Sequence, residues 1–192
     1  MFSHKQLPGF GLALALIAAL VACGDPNLLP PATMPIREDT VTLWALTGTP
    51  IASPSAFDIV RQVEVRTDRS TEFDFAFDFR PDTLGDTIPV LIPRGGLGLG
   101  EDAGLLRTTA LFDTLRLAPA GGYDFRRAVP VDLEVVVIAR SRPQLCNFGL
   151  QYPLYAKIQP VIISRTERWV RLRISIDPNC GYRGLERGIP DR

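Results

Sequence analysis

Histidine is almost absent from this chain of 192 residues, and the only one, His4, lies near the N-terminus, ahead of an apolar run. Residues 5–192 therefore offer no imidazole that could act as a general base beside a serine or cysteine nucleophile. This excludes Ser-His and Cys-His catalytic arrangements from that part of the chain. It excludes histidine-based metal sites there as well.

Basic runs are also missing, and the chain carries no excess charge of either sign. Lysine and arginine number 21, and aspartate and glutamate also number 21. Setting Lys5 aside with the N-terminal segment leaves 20 basic residues against the same 21 acidic ones. A nucleic-acid-binding surface needs a basic patch or stripe. We therefore expect no nucleic-acid partner.

The one long apolar run, residues 10–22, is too short to be a permanent membrane span. It contains about 13 residues, whereas a helix that crosses a bilayer needs about 20. Lys5 precedes the run and small residues end it, which is the organisation of a secretory signal. The segment therefore predicts export.

The run ends in Leu20-Val21-Ala22-Cys23, which resembles the lipobox of bacterial lipoproteins. The resemblance implies cleavage before Cys23 and acylation of Cys23, so that the protein is anchored to a lipid bilayer. In that family an aspartate directly after the cysteine favours the inner membrane. Gly24 stands there instead, and we therefore expect the outer membrane of a bacterial cell envelope. The alternative is an ordinary cleavable signal that contains a cysteine.

Three segments follow from this interpretation. Residues 1–22 are the signal peptide, residues 23–39 a lipidated, proline-rich tether, and residues 40–192 a single domain. Four prolines between residues 26 and 35 favour extended geometry in the tether. A domain of about 150 residues is long enough to bury a core of its own.

Cys146 and Cys180 are the two cysteines that lipidation would leave. In an exported protein such a pair most often forms a disulfide. The bridge would close a loop of about 35 residues, which is worth about 4 kcal/mol on the chain-entropy estimate. A metal site is the alternative, but two isolated cysteines without histidine make a poor one.

A period of two dominates the chain from residue 40 onward, which indicates strands rather than helices. Residues 71–79 are the clearest case, because four phenylalanines alternate there with polar or small residues. On a strand their rings share one face, which we interpret as core. Pro160 interrupts another apolar segment and predicts an edge position or a bulge.

We expect about eight short strands, separated by proline- and glycine-rich turns. The predicted strands are 40–47, 59–67, 71–79, 87–92, 105–117, 131–140, 155–164 and 169–176. The last two would form a hairpin whose open end the disulfide clamps. The pattern predicts an all-β fold, an antiparallel sandwich of immunoglobulin-like or related type, with a partly open β-barrel as the alternative.

Carboxylates are the only catalytic groups that the composition leaves in number. Asp74 and Asp78 lie on the polar face of the predicted strand 71–79, roughly 13 Å apart by strand rise. That separation exceeds the spacing of paired glycosidase carboxylates, so a neighbouring strand would have to supply a partner. We favour a solvated face on which Arg171 and Arg173 balance the two aspartates across the sheet.

Asp78, Asp82 and Asp86 lie near a turn and are candidate calcium ligands. Their spacing of four differs from that of an EF-hand loop, and no bidentate glutamate follows. The alternative is that aspartates in turns satisfy backbone donors. We expect no cofactor.

The leading hypothesis is an exported, membrane-anchored protein with a non-catalytic binding or envelope-structural role. Its partners would be the lipid bilayer, through Cys23, and an envelope protein or glycan. Loops at one end of the sandwich would supply the contacts, with Tyr123, Phe125, Tyr152 and Tyr155 as candidates. The alternatives are a carboxylate-dependent hydrolase acting on glycans and a calcium-stabilised adhesion module.

Overall fold

Twelve β-strands and one 3₁₀ turn form the secondary structure of residues 29–190, which are the residues that this computed structural model describes. Within these residues no helix is long and apolar enough to cross a membrane. Pro31–Arg192 groups as one compact unit. The predicted signal peptide and Cys23 lie outside the described residues. The strands are β1 (Arg37–Trp44), β2 (Ala56–Asp58), β3 (Val63–Val65), β4 (Phe75–Pro81), β5 (Thr87–Pro93), β6 (Gly104–Thr108), β7 (Val129–Pro130), β8 (Val136–Arg140), β9 (Gln144–Leu145), β10 (Gln151–Tyr152), β11 (Tyr155–Ser164) and β12 (Trp169–Asp177).

Ten of the twelve strands form two five-stranded antiparallel sheets, and β9 pairs with β10 in a separate two-stranded sheet. The first sheet has the order β1-β12-β11-β8-β6, and the second has the order β3-β2-β4-β5-β7. A cluster of buried apolar side chains from both sheets fills the space between them, including Leu43, Leu172 and Ile174 from the first and Phe77 and Leu91 from the second. This arrangement is a β-sandwich, which confirms the predicted fold class.

Both sheets are also covered on their outer faces. Against the first sheet, Ala118 and Leu185 of the irregular segments pack on Ile138 and Tyr155. Against the second sheet, Phe73 belongs to a smaller cluster with partly buried leucines packed on it. Over the covered parts of the central strands, side chains are therefore buried whichever way they point, and polar ones there need partners within the protein.

The long strands near the C-terminus follow the sequence pattern. β11 has the predicted bounds, and it pairs with β12 to form the predicted hairpin. The register shifts between Pro160 and Ile162, and the pairing of β11 with β8 ends at Ile158. Pro160 therefore lies at a bulge and beside an unpaired stretch of strand, which removes the need for its missing N–H.

The predicted strands 40–47, 71–79 and 131–140 are shifted or shortened to β1, β4 and β8, and two others differ more. Residues 59–67 do not form one strand, because a turn divides the region between β2 and β3. Asp58 accepts a hydrogen bond from the backbone N–H of Arg61 in this turn, at 3.0 Å, and Gln62 has a positive φ of 58°. The predicted strand 105–117 ends at Thr108. The residues after it form irregular structure that covers the first sheet.

The four phenylalanines are buried as predicted, but they do not share one cluster. Phe75, Phe77 and Phe79 enter the core between the sheets. Phe73 precedes β4 and packs in the cluster on the outer face of the second sheet. The phenylalanines therefore share one face only within β4.

One end of the first sheet, called the tether end below, gathers the start of β1, the end of β8, the start of β11 and the end of β12. Here Asn179 accepts hydrogen bonds from the backbone N–H groups of Thr33 and Met34, both at 3.1 Å, and donates to the carbonyl of Met34 at 2.8 Å. Next to Asn179, Cys180 forms the predicted disulfide with Cys146. Residues 33–34 are thus attached to the domain at the disulfide.

We predict that replacing both cysteines, Cys146→Ser with Cys180→Ser, lowers the free energy of unfolding by about 4 kcal/mol, because the unfolded chain gains the entropy of an open loop. Chemical denaturation of the full chain measures this loss. Reducing agent should destabilise the parent protein and leave the double variant unchanged. Two reactive thiols at these positions in the denatured, unreduced protein would contradict the prediction.

Candidate functional site

Asp74 is buried inside the sandwich instead of facing solvent. Only 2% of its surface is exposed. Its Oδ1 accepts hydrogen bonds from the backbone N–H of Arg142 at 2.7 Å and from Nε of Arg142 at 3.1 Å. Its Oδ2 accepts the backbone N–H of Ile59 at 2.7 Å. Burial raises the pKa of Asp74, and these hydrogen bonds oppose the rise.

Arg142 connects three carboxylates at the tether end. Its Nη2 lies 3.0 Å from Oδ2 of Asp58, which is fully buried, and its Nη1 pairs with the exposed Glu72. Arg61 approaches Asp58 from the solvent side, with Nε at 2.6 Å from Oδ2. Because Arg142 follows β8 of the first sheet and Asp58 ends β2 of the second, the cluster joins the two sheets.

Asp78 is also buried, with 4% of its surface exposed. Its Oδ1 accepts hydrogen bonds from the hydroxyl of Thr47 at 2.8 Å and from the backbone N–H of Phe79 at 2.8 Å. The predicted solvated face of Asp74 and Asp78 is therefore wrong, because both carboxylates are buried and accept hydrogen bonds from protein donors.

The predicted partners of these aspartates are wrong as well. Arg171 and Arg173 belong to β12 of the first sheet, so they do not lie across a strand pair from β4. Arg173 forms ion pairs with Glu38 and Asp113 instead. The hydrolase hypothesis thus loses its two candidate residues, because neither buried carboxylate is free to meet a substrate.

The three candidate calcium ligands are not brought together. Asp78 is held by Thr47, while Oδ1 of Asp82 accepts the backbone N–H groups of Leu84 and Asp86 at 2.8 and 2.9 Å. Across residues 29–190, no three His, Cys, Asp or Glu side chains lie close enough to hold a metal ion. Asp82 instead caps its own turn, which is a common role of aspartate.

The predicted aromatic loop surface is largely interior. Tyr123 and Tyr155 are 9% and 6% exposed, and they pack together on the outer face of the first sheet with their rings 6.2 Å apart. Burial raises the pKa of Tyr123, and its hydroxyl donates to the carbonyl of Pro119 at 2.9 Å. Phe125 is partly buried and packs against the same cluster. Tyr152, whose ring contacts Phe148, is partly exposed in the short β9–β10 hairpin.

A cleft on the outer face of the first sheet contains the most unusual charged group of the domain. Its volume is about 280 Å³. Strands β1, β11 and β12 form its floor, and the irregular segments around residues 112–116 and 186–187 form its walls. The residues that line it are Glu38, Phe112, Asp113, Leu115, Arg116, Lys157, Arg173, Ser175, Glu186 and Arg187.

Lys157 is the unusual group, because it is a lysine with only 6% of its surface exposed. Its Nζ donates hydrogen bonds to the carbonyls of Phe112 at 2.8 Å and Leu115 at 3.2 Å. It forms no ion pair with any carboxylate among residues 29–190. Burial lowers the pKa of Lys157, and the charge of Asp113 opposes this only in part.

The ring of Phe112 contacts two cations, Lys157 and Arg173. The ring centroid lies 4.7 Å from Nζ of Lys157 and 4.1 Å from the guanidinium carbon of Arg173. Both distances are within the range of cation–π attraction. Arg173 in turn holds Asp113 through an Nη2–Oδ1 contact of 2.9 Å, and its hydrogen bond lowers the pKa of Asp113. The ammonium of Lys157 and the guanidinium of Arg173 thus lie beside the same wall of the cleft.

Lys157 is not among the candidate residues predicted from the sequence. A signal existed, since Lys157 occupies a polar position of an otherwise apolar strand and is the only lysine after Lys5. The walls of the cleft come from a segment predicted to be strand, however, so their approach to Lys157 could not be anticipated.

No protein-family model matches this chain, and no curated protein or solved structure matches it significantly. The cleft is therefore interpreted from its own geometry and charge.

We predict that Arg142→Met lowers the free energy of unfolding by about 3 to 5 kcal/mol, because it leaves Asp58 and Asp74 buried without their shared cation. Arg61→Met is the matched control. Its side chain is 55% exposed, so its loss should cost about 1 kcal/mol or less. Equal losses of unfolding free energy for the two variants in denaturant titrations would show that Arg142 is not the cation that compensates the buried carboxylates.

Asp177 gives a second prediction. It is fully buried, its Oδ1 accepts two hydrogen bonds from Asn179, and its Oδ2 has no hydrogen-bond partner within the described residues. Burial raises the pKa of Asp177 from its ordinary 3.8 to about 6, against the opposing hydrogen bonds. Between these values the folded state keeps a proton that the unfolded chain has lost. Stability therefore falls as the pH rises through this interval, and it stays lower above pH 6.

Asp177→Asn should remove this loss. Compared with the variant, the parent should lose on the order of 2 kcal/mol between pH 4.5 and pH 7.5. Urea titrations at both pH values measure the difference. The exposed Asp39→Asn serves as the control and should follow the parent. If Asp177→Asn shows the same pH dependence as the parent, Asp177 is not the responsible group.

Proposed function

We propose that this chain is a lipid-anchored protein of the bacterial cell envelope, and that its β-sandwich is a non-catalytic binding module whose ligand site is the cleft at Lys157. The observation that carries the binding role is the buried ammonium of Lys157 at the wall of this cleft, without an ion pair among the described residues.

The attachment of residues 33–34 supports the anchored part of the proposal. Asn179 fixes these residues at the tether end through three hydrogen bonds. From Cys23 to Met34 the chain can reach at most roughly 36 Å. A domain joined in this way stays close to the bilayer that holds Cys23, and the disulfide beside Asn179 reinforces the point of attachment.

The state of the carboxylates supports a non-catalytic role. General acid–base catalysis needs a group within reach of a proton on the substrate. Asp74 and Asp78 are buried, and protein donors occupy them. Their chemistry is that of structural ion pairs and hydrogen bonds. No observation in the described residues favours calcium-dependent adhesion over binding in the cleft.

The anchoring is tested by Cys23→Ala in the full chain expressed in a bacterial host. We expect the parent protein in the membrane fraction with incorporated radiolabelled palmitate, and the variant without label and released from membranes. Pro26→Ala leaves the cysteine and its preceding residues intact, so it should behave as the parent. Retention of label by Cys23→Ala would refute acylation at this site.

A further inference from the structure

We propose that the cleft at Lys157 binds a small anion through carboxylate or phosphate oxygens, which accept hydrogen bonds from the ammonium of Lys157 and the guanidinium of Arg173. This inference rests on the proposed binding role of the cleft and specifies the chemistry of its ligand. Four features of the cleft support it.

The first feature is the unused hydrogen-bonding capacity of Lys157. An ammonium group has three N–H donors. Two of them are used by the carbonyls of Phe112 and Leu115. A buried cation whose hydrogen bonds go only to neutral carbonyls is costly, and a charged acceptor makes a markedly stronger hydrogen bond than a neutral one. An anionic oxygen in the cleft would accept a hydrogen bond from the third N–H of Lys157.

The second feature is the balance of charge around the cleft. Four basic side chains and three acidic side chains line it, so it carries one excess positive charge. The basic members are Arg116, Lys157, Arg173 and Arg187, and the acidic members are Glu38, Asp113 and Glu186. This excess favours a ligand of negative charge over a neutral or cationic one.

The third feature is the exchangeable partner of Arg173. The Glu38 side chain is 26% exposed and is shared with Arg187, whereas 76% of the Asp113 side chain is exposed. An exposed ion pair contributes little to stability. A ligand carboxylate or phosphate can therefore replace Asp113 on Arg173 at small cost, while Glu38 keeps the guanidinium in place.

The fourth feature is size. A volume of about 280 Å³ lies just below the usual range for drug-sized ligands, which begins near 300 Å³. Phe112 and Leu115 add an apolar wall beside the cations. The cleft therefore suits a compact anion, such as a small dicarboxylate or a phosphate group, better than a polymer chain.

The test uses the ¹⁵Nζ signal of lysine in the full chain, kept in detergent. The sequence contains only Lys5 and Lys157, so Lys157→Arg assigns the signal of Lys157. Inorganic phosphate, succinate and neutral N-acetylglucosamine are titrated separately, with ionic strength matched by sodium chloride. We expect phosphate, succinate or both to shift the Lys157 signal with saturation, and the anion that binds more tightly identifies the source of the charged oxygens.

A second variant avoids any dependence on the folding of Lys157 variants. Asp113→Asn removes the exposed competitor on Arg173 and should raise the affinity for the bound anion by about 3- to 10-fold. Asp132→Asn is the matched control, because Asp132 is an exposed aspartate paired at 3.9 Å with Arg107 and does not line the cleft. It should leave the affinity unchanged.

Three outcomes would overturn the inference. A saturable shift with N-acetylglucosamine alone would retain the cleft as a ligand site but reject an anionic ligand. A response to sodium chloride equal to that of the test anions would show general screening. No saturable shift with any probe, together with no gain in Asp113→Asn, would reject anion binding. None of these results bears on membrane anchoring, which Cys23→Ala tests separately.

Discussion

The ion pairs of Arg142 with Asp58 and Asp74 are the interaction on which the tether end of the sandwich depends. The guanidinium comes from the segment just after β8 of the first sheet, and both carboxylates are buried at strand ends of the second sheet. A buried ion pair adds little net stability over an apolar contact, but a lone buried charge is strongly unfavourable. The pair therefore fixes how the two sheet ends meet, since other packings would separate the charges.

The cost of a buried charge without partners also separates the buried polar side chains into two kinds. Each sheet is covered on both faces, so a polar side chain in a central strand must find partners inside the protein. Asp74 and Asp78 have theirs in backbone N–H groups, a hydroxyl and a guanidinium. Lys157 has two carbonyls and the ring of Phe112 for a full positive charge, and no ion pair among the described residues. This contrast is the reason that the proposed binding role falls to Lys157, whereas the two aspartates serve in structural contacts.

The local pattern of the sequence predicted the strand-forming regions, and the cysteine count predicted the disulfide, but neither predicted the surroundings of the polar residues. Alternation in β11 and β12 fixed their extent, because side-chain direction in a strand is set by neighbours in sequence. Whether the polar face of β4 meets water depends on residues far away in the chain. Arg142 follows Asp74 by 68 positions, and no local period encodes such a distance. The cleft could not be predicted from the sequence for the same reason, since Phe112 lies 45 positions from Lys157.

The position of the cleft connects the two parts of the proposed function. Glu38, which lines the cleft and holds Arg173, is only four residues from Met34, where Asn179 attaches the N-terminal segment. Extended chain from Cys23 to Glu38 spans at most roughly 50 Å. If Cys23 is acylated, the cleft is thereby confined to the layer of solvent next to the bilayer. A compact anion held by Lys157 and Arg173 would be captured there, near the membrane surface and not in bulk solvent, and the hydrogen bonds of Asn179 and the adjacent disulfide would keep that placement fixed.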